Sequence, residues 1–199
     1  MVITRDLGPW APLPVETLPS VLDDLDCWWC VAGGVGLELY AGRALRAHDD
    51  IDIEIPRSQQ RAIVRALPEW EHFAAHEGVL TRWLGDRNLD AENSVWSRPG
   101  TTAPWALQTM FATIDADDWV YRRAPGVRVP LAVATRRTAD GVPYLAPELA
   151  LLFKAPNPRP KDEADFDAVR PLLDAEAKDR LARALSVAHP EHPWIGRLT

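Results

Sequence analysis

Residues 50–56 read DIDIEIP, and no other stretch restricts the fold as tightly. Ile51, Ile53 and Ile55 alternate with Asp50, Asp52 and Glu54, the period-two signature of a strand with one apolar face, and Pro56 ends it. Residues two apart on a strand project from the same face, with backbone positions about 6 to 7 Å apart, so Asp50 and Asp52 repel one another unless a cation sits between them. Mg²⁺ takes oxygen ligands, keeps several waters and fills its shell with one or two carboxylates plus substrate phosphates. The natural third party is a nucleoside triphosphate.

Just upstream stands AGGVGLELYAGRALRAH. Gly33 and Gly34 close the buried strand expected from CWWCVAG, and LELYAGRAL reads as a short helix with Leu37 and Tyr40 inward. Glycines let backbone amides approach a ligand closely, and the helix N-terminus that follows favours anions. One element would grip a triphosphate and the other its metal. Two commoner phosphate motifs are excluded: no lysine followed by Ser or Thr trails the glycines as in a P-loop, and Leu39 stands where a dinucleotide fingerprint needs a third small residue.

The rest of the chain alternates helices and strands. A proline-rich arm covers 1–14, and a helix is expected over 15–26 with Leu18, Val21, Leu22 and Leu25 inward. After the aspartate strand, RSQQRAIVRALPEW reads as a helix capped by Ser58, with Ile63, Val64 and Leu67 in the core. Strands follow at EHFAAHE, VLTRWLG, PWALQTMFATID and DDWVYRR, with a polar loop at 86–100. Asp140 and Gly141 mark a turn, Pro147 opens a helix that stops before PNPRP, and helices over 162–173 and 175–188 close the chain with Asp174 as the cap between them. The fold class is α/β, a mixed sheet flanked by helices with a helical C-terminal part. The expected division is an arm at 1–14, a core at 15–155 and C-terminal helices at 156–199 packed on that core.

Residues 28–55 resemble the active-site signature of the small antibiotic nucleotidyltransferases, the aminoglycoside adenylyltransferases above all, within the polymerase-β-like nucleotidyltransferase superfamily. The resemblance rests on Gly33 and Gly34, Gly42 and Arg43, Arg46 and His48, and Asp50 and Asp52. It implies that Asp50 and Asp52 are catalytic metal ligands and that Gly33, Gly34, Arg43, Arg46 and His48 serve the nucleotide. YLAPELALLFKAPNPRPKDEADFDAV resembles a second family segment. It implies that Lys154 touches the triphosphate and that Asp162 and Asp165 cap or orient the next helix. A third family carboxylate is expected on PWALQTMFATID, and this chain presents Gln108 there. Glutamine offers a metal a neutral oxygen but accepts no proton as a carboxylate does. Glu54, Glu92 and Asp115 are the alternative acids.

The resemblance thus implies an enzyme that moves a nucleoside monophosphate, AMP foremost, from a triphosphate such as ATP to a hydroxyl of a small aminoglycoside-like molecule, with Mg²⁺. Two other readings stay open: a toxin-like enzyme acting on RNA or protein, and a nucleotide-binding protein without turnover, which Gln108 keeps alive. The net charge of −7 disfavours a broad nucleic-acid surface and suits a cationic acceptor, with Asp86, Asp90 and Glu92 as an acidic rim. No apolar run approaches the ~18 residues of a membrane span, and no basic patch leads into an apolar core, so a cytoplasmic location is expected. Cys27 and Cys30 have redox spacing, yet no second pair or nearby histidine pair completes a zinc site, and a structural role is expected. The same is expected of His72, His76, His189 and His192. Of the tryptophans, Trp28, Trp29 and Trp105 are expected in the core, and Trp83, Trp96 and Trp119 nearer the polar loops as candidates to line an acceptor pocket, with core or rim the expectation for most. Neither a heptad seam nor an exposed apolar patch speaks to oligomeric state.

Overall fold

The computed structural model describes residues 2–3 and 7–198. From the N-terminus the elements are β1 (Val2–Ile3), α1 (Leu18–Val21), β2 (Cys30–Val31), α2 (Gly33–Ala41), β3 (Asp52–Pro56), α3 (Ala62–Ala66), β4 (Glu71–His76), β5 (Val79–Arg82) and β6 (Ser94–Arg98). There follow β7 (Leu107–Asp115), β8 (Asp118–Val120), β9 (Arg128–Pro130), α4 (Leu131–Ala134), β10 (Thr135–Arg137), β11 (Pro143–Leu145), α5 (Pro147–Lys154), α6 (Pro160–Val169) and α7 (Ala175–Ala188). Helices and strands interleave as the α/β class requires. The chain packs as two compact units, Met1–Val31 with His48–Ala112, and Ala32–Ala47 with Thr113–Thr199, a different cut from the division into arm, core and C-terminal helices. Among the described residues, no helix is long and apolar enough to cross a membrane.

The first unit is a sheet in the order β1-β5-β4-β6-β7-β3-β2. Every pair is antiparallel except β3 with β7, which run parallel with Asp52 opposite Gln108. Ile51, Ile53 and Ile55 are buried, so the alternation read from the sequence does build the strand into a core. The regular strand begins at Asp52 and leaves Asp50 two residues outside, although the Gln108 amide still donates to the Ile51 carbonyl at 2.9 Å. Part of the arm is also sheet-bound: Ala11 and Leu13 donate to the carbonyls of Trp105 and Ala106, both at 2.9 Å.

Several local expectations give way to tertiary context. The helix over 15–26 shrinks to a 3₁₀ turn, Val15–Thr17, and the four residues of α1. Asp23 and Asp24 follow directly, where negative charge opposes the helix dipole. Leu18, Leu22 and Leu25 are buried as expected, while Val21 is only half-buried. Ser58 caps nothing: Pro56 leads straight into a 3₁₀ turn, Arg57–Gln59. The Arg57 guanidinium straps that turn to the Leu89 carbonyl at 2.7 Å and to Asn93 Oδ1 at 2.9 Å. The polar loop at 86–100 hides β6, a central strand whose two serines disguise its alternation.

Tryptophan placement also changes. Trp105 is core, but Trp28 and Trp29 are half-buried, whereas Trp83 and Trp119 are fully buried. Cys27 is half-buried and Cys30 buried, and neither is in a disulfide. Burial pushes the Cys27 thiol up to about 11 and Cys30 well above its usual range, which suits inert packing. His72 lies buried between Ser97 Oγ at 2.9 Å and the Leu67 carbonyl at 3.0 Å, a structural bridge.

In the second unit the end of β7 pairs with β8 and β8 with β9, while β10 pairs with β11. The sequence reading missed β9, α4, β10 and β11, each only three or four residues long. Helix α5 opens at Pro147 as expected and packs on α2, α6 and α7. The Tyr40 hydroxyl anchors α2 by donating to the Leu172 carbonyl at 2.7 Å. Asp174 caps α7, accepting from the Ala177 amide at 2.7 Å. Helix α6 starts at Pro160, two residues before expectation, because Asp162 accepts from the Arg159 amide at 3.0 Å and closes a capping box.

Candidate functional site

The residues singled out from the sequence fall in both units. His48, Asp50, Asp52 and Gln108 belong to the first; Gly33, Gly34, Arg43, Arg46 and Lys154 belong to the second.

In the first unit, β3 is fixed from beneath by its isoleucines, and this sets the direction of the alternating acids. Asp50 and Asp52 are half-buried, and Glu54, of the same parity, is 2% exposed. Gln108 is the Cα partner of Asp52 on β7, and Trp96 is the partner of Gln108 on β6. Paired residues on neighbouring strands share a face, so Asp52, Gln108 and Trp96 form a row on one side of the sheet. The place read from the sequence as that of a third carboxylate is therefore the register position beside Asp52. His48 is half-buried just before the strand.

This donor set suits a hard cation. Asp50 and Asp52 bring carboxylate oxygens, and Gln108 a neutral amide oxygen. Among the described residues no three His, Cys, Asp or Glu side chains gather as a metal cage. That combination fits Mg²⁺, which binds through one or two carboxylates and takes its other ligands from water and phosphate. It does not fit zinc, which needs three or four protein ligands.

In the second unit, the glycine pair is the first turn of α2 itself, where the sequence reading put it before the helix. Gly33 has φ 62°, a left-handed conformation that costs glycine little, and Gly42 ends the helix at φ 66° in the same region. The first amides of the helix therefore belong to residues with little or no side chain to obstruct a ligand. Glu38 pins the loop behind it, its Oε1 accepting from the Leu45 amide at 2.7 Å and the Arg46 amide at 3.0 Å.

Arg46 and Lys154 meet at α6. The Arg46 guanidinium donates to Asp165 through Nε at 3.1 Å and Nη2 at 3.3 Å. Lys154 Nζ lies 3.1 Å from Asp162 Oδ1 and 3.0 Å from Asp165 Oδ2. Burial alone would raise Asp162, but hydrogen bonds from Arg159 and Lys154 outweigh it and hold its carboxyl well below the usual range. Two carboxylates thus engage two of the three Lys154 donors. Arg43, by contrast, is exposed. The convergence of Arg46 with Lys154 joins segments 108 residues apart, and no local signal in the sequence announces it.

Residues 15–79 match the model of the aminoglycoside-2''-adenylyltransferase family. The resemblance read from the sequence is thus met by a family model over this segment, a minority of the chain. Among solved structures, the chain is similar to ANT(2'')-Ia in complex with adenylyl-2''-tobramycin, at 16% identity and a TM-score of 0.57, covering 86% of this chain and 95% of that one. It is also similar to the lincosamide antibiotic adenylyltransferase LnuA, lincomycin-bound, at 13% identity and a TM-score of 0.56, covering 83% of this chain and all of that one. A third likeness is to an antigenic nucleotidyltransferase-like protein from Paracoccidioides brasiliensis, at 18% identity and a TM-score of 0.50, covering 96% and 94%. No curated protein matches at a significant level. At these identities the structural likenesses carry the fold, which is that of a nucleotidyltransferase.

Proposed function

We propose that the chain is a Mg²⁺-dependent nucleotidyltransferase that moves a nucleoside monophosphate, AMP foremost, from ATP to a hydroxyl of a small antibiotic-like molecule. The observation that carries this reading is the acidic parity of residues 50–54 against a buried isoleucine face, in register with Gln108 and inside the segment that matches the adenylyltransferase family. A half-buried carboxylate pair at the start of a strand costs electrostatic energy that a cation offsets.

Asp50 and Asp52 hold the metal in this reading, with the Gln108 amide oxygen beside them. When bound, Mg²⁺ neutralises charge on the transferred phosphoryl group and its leaving oxygen. By the family resemblance, the glycine amides of α2 and Lys154, whose ammonium Asp162 and Asp165 hold, are the second unit's candidates for binding phosphate. The acceptor hydroxyl attacks the α-phosphorus, the bond to the bridging oxygen breaks, and pyrophosphate leaves. A base must take the hydroxyl proton. Glu54, on the same strand and of the same parity as Asp52, is the candidate acid.

Label transfer tests the reading. Protein, Mg²⁺ and α-labelled ATP are incubated with tobramycin, lincomycin, tRNA and cell extract, and Asp52→Asn serves as control. Label in a small molecule, lost in the variant, is the expected result; label in RNA or protein would replace the acceptor class. Gln108 supports one second reading, a protein that binds nucleotide without turnover. Metal-dependent ATP binding with no transfer to any acceptor in the mixture would favour it.

A further inference from the structure

The family resemblance implies that Arg46 serves the nucleotide, yet all three nitrogens of its guanidinium already donate within the second unit. Nε reaches Asp165 Oδ1 at 3.1 Å, Nη2 reaches Asp165 Oδ2 at 3.3 Å, and Nη1 reaches the Ala47 carbonyl at 3.1 Å. The backbone behind it is fixed as well, because the Arg46 amide donates to Glu38 Oε1. Asp165 carries a second load. Its Oδ2 also lies 3.0 Å from Lys154 Nζ, so one buried carboxylate oxygen is shared by a guanidinium and an ammonium.

We propose that Arg46 is a positioning residue that acts through Asp165 on Lys154, and that it is not itself a ligand of the triphosphate. The proposal rests on the nucleotidyltransferase reading and deepens it, by moving Arg46 from the contacts of the nucleotide to the support behind them. Geometry gives the first reason. A guanidinium fork that meets both oxygens of a carboxylate stops it turning about its last bond. Lys154 then finds Asp165 Oδ2 in one place. With Asp162 Oδ1 taking a second N–H at 3.1 Å, the third is left in a fixed direction for a phosphate oxygen.

Charge gives the second reason. Arg46, Lys154 and Arg159 face two carboxylates, Asp162 and Asp165, a surplus of one positive charge. Arg159 pairs with Asp162 at 2.7 Å, and no contact joins it to Asp165. Neutralising Asp165 therefore falls to Arg46, which frees the Lys154 charge for an anion. Without Arg46, Lys154 and Asp165 cancel one another, and the ammonium has little left to offer phosphate.

Two measurements test the assignment. The chain has three lysines, Lys154, Lys161 and Lys178, so NMR of lysine-labelled protein gives a small set of ε-methylene signals, with Lys154→Met marking the one that matters. In nucleotide-free wild type the two Lys154 ε-methylene protons should be inequivalent, the mark of a held side chain, and in Arg46→Ala they should merge. ATP with Mg²⁺ is then titrated by calorimetry into the wild type, Arg46→Ala, Lys154→Met and the double variant. Each single substitution should weaken binding about tenfold. The double variant should bind no more weakly than Lys154→Met alone, because Arg46 has nothing left to act through. Losses that multiply to about a hundredfold would make Arg46 a direct ligand and overturn the proposal. Unchanged affinity in Arg46→Ala, or Lys154 signals unaltered in it, would overturn it too. The double variant leaves Asp165 buried without a cation; if it does not fold, the Lys154 signals of Arg46→Ala decide. Absence of ATP binding by the wild type would sink the transferase reading and this proposal together, whereas binding with multiplied losses would sink the proposal alone.

Discussion

Asp50 and Asp52 in the first unit, and Asp162 and Asp165 in the second, are the same side chain at nearly the same spacing, and they meet opposite fates. The helical pair is buried and matched by base: Asp162 takes Arg159 and Lys154, and Asp165 takes Arg46 and Lys154. The strand pair is half-buried, and the cross-strand neighbour of Asp52 is a neutral glutamine. Spacing makes a carboxylate pair; what faces it decides which role the pair takes, and under the proposed function the strand pair is the one that would take a cation.

The largest test of this contrast is Asp52→Asn. Label transfer should fall about a thousandfold, roughly 4 kcal/mol of barrier, while Tm moves by no more than about 2 °C. A variant that lost stability in proportion to activity would put the strand pair in the same class as the helical one. Asp165→Ala should do the opposite and cost about 3 kcal/mol of stability, because Arg46 and Lys154 lose a shared buried anion. For a chain of this size that lowers Tm by about 6 to 12 °C in a thermal melt. An unchanged Tm would break the comparison.

Gln108→Asp sharpens it from the other side. A third carboxylate beside Asp52 should lower the Mg²⁺ concentration for half-maximal nucleotide binding about tenfold, and lower Tm in metal-free buffer through like-charge repulsion. Acid denaturation tests Asp162. Its folded pKa lies below the ordinary 3.8, so its contribution is fully present above that value and is lost as pH falls toward the folded one. Asp162→Asn should therefore flatten the fall in Tm below about pH 4 and leave the neutral range parallel to wild type. The smallest effect belongs to Asp174→Ala. Loss of the α7 cap should cost about 1 kcal/mol and speed amide exchange in the first turn of that helix.

Elements whose logic is local were legible in the sequence. The isoleucine and aspartate alternation, the cap at Asp174, the proline opening α5 and the turn at Gly141 each depend on residues within one or two turns of each other, and each stands as read. The misses have two causes, one local and one distant. The 15–26 helix was cut short by two acids close behind α1, whereas the Ser58 cap and the hidden strand β6 were decided by neighbours distant in the chain: the Arg57 strap across to Asn93, and partner strands on both sides of Ser94–Arg98. Trp83 and Trp119 misled for the second reason, since polar sequence around a residue says little about which distant segments will cover it.

The candidate site divides along the same line. By itself the sequence determined which residue types stand at which spacing: a glycine pair, an alternating acid strand and a glutamine where an acid was expected. Tertiary structure alone decided that Gln108 lies in register with Asp52, that Trp96 continues the row, and that Lys154 and Arg46 share Asp165. Hydrophobic periodicity is written into a few consecutive residues, whereas strand register and buried ion pairs come from contacts between segments separated by tens of residues, and their energies exist only once those segments have met.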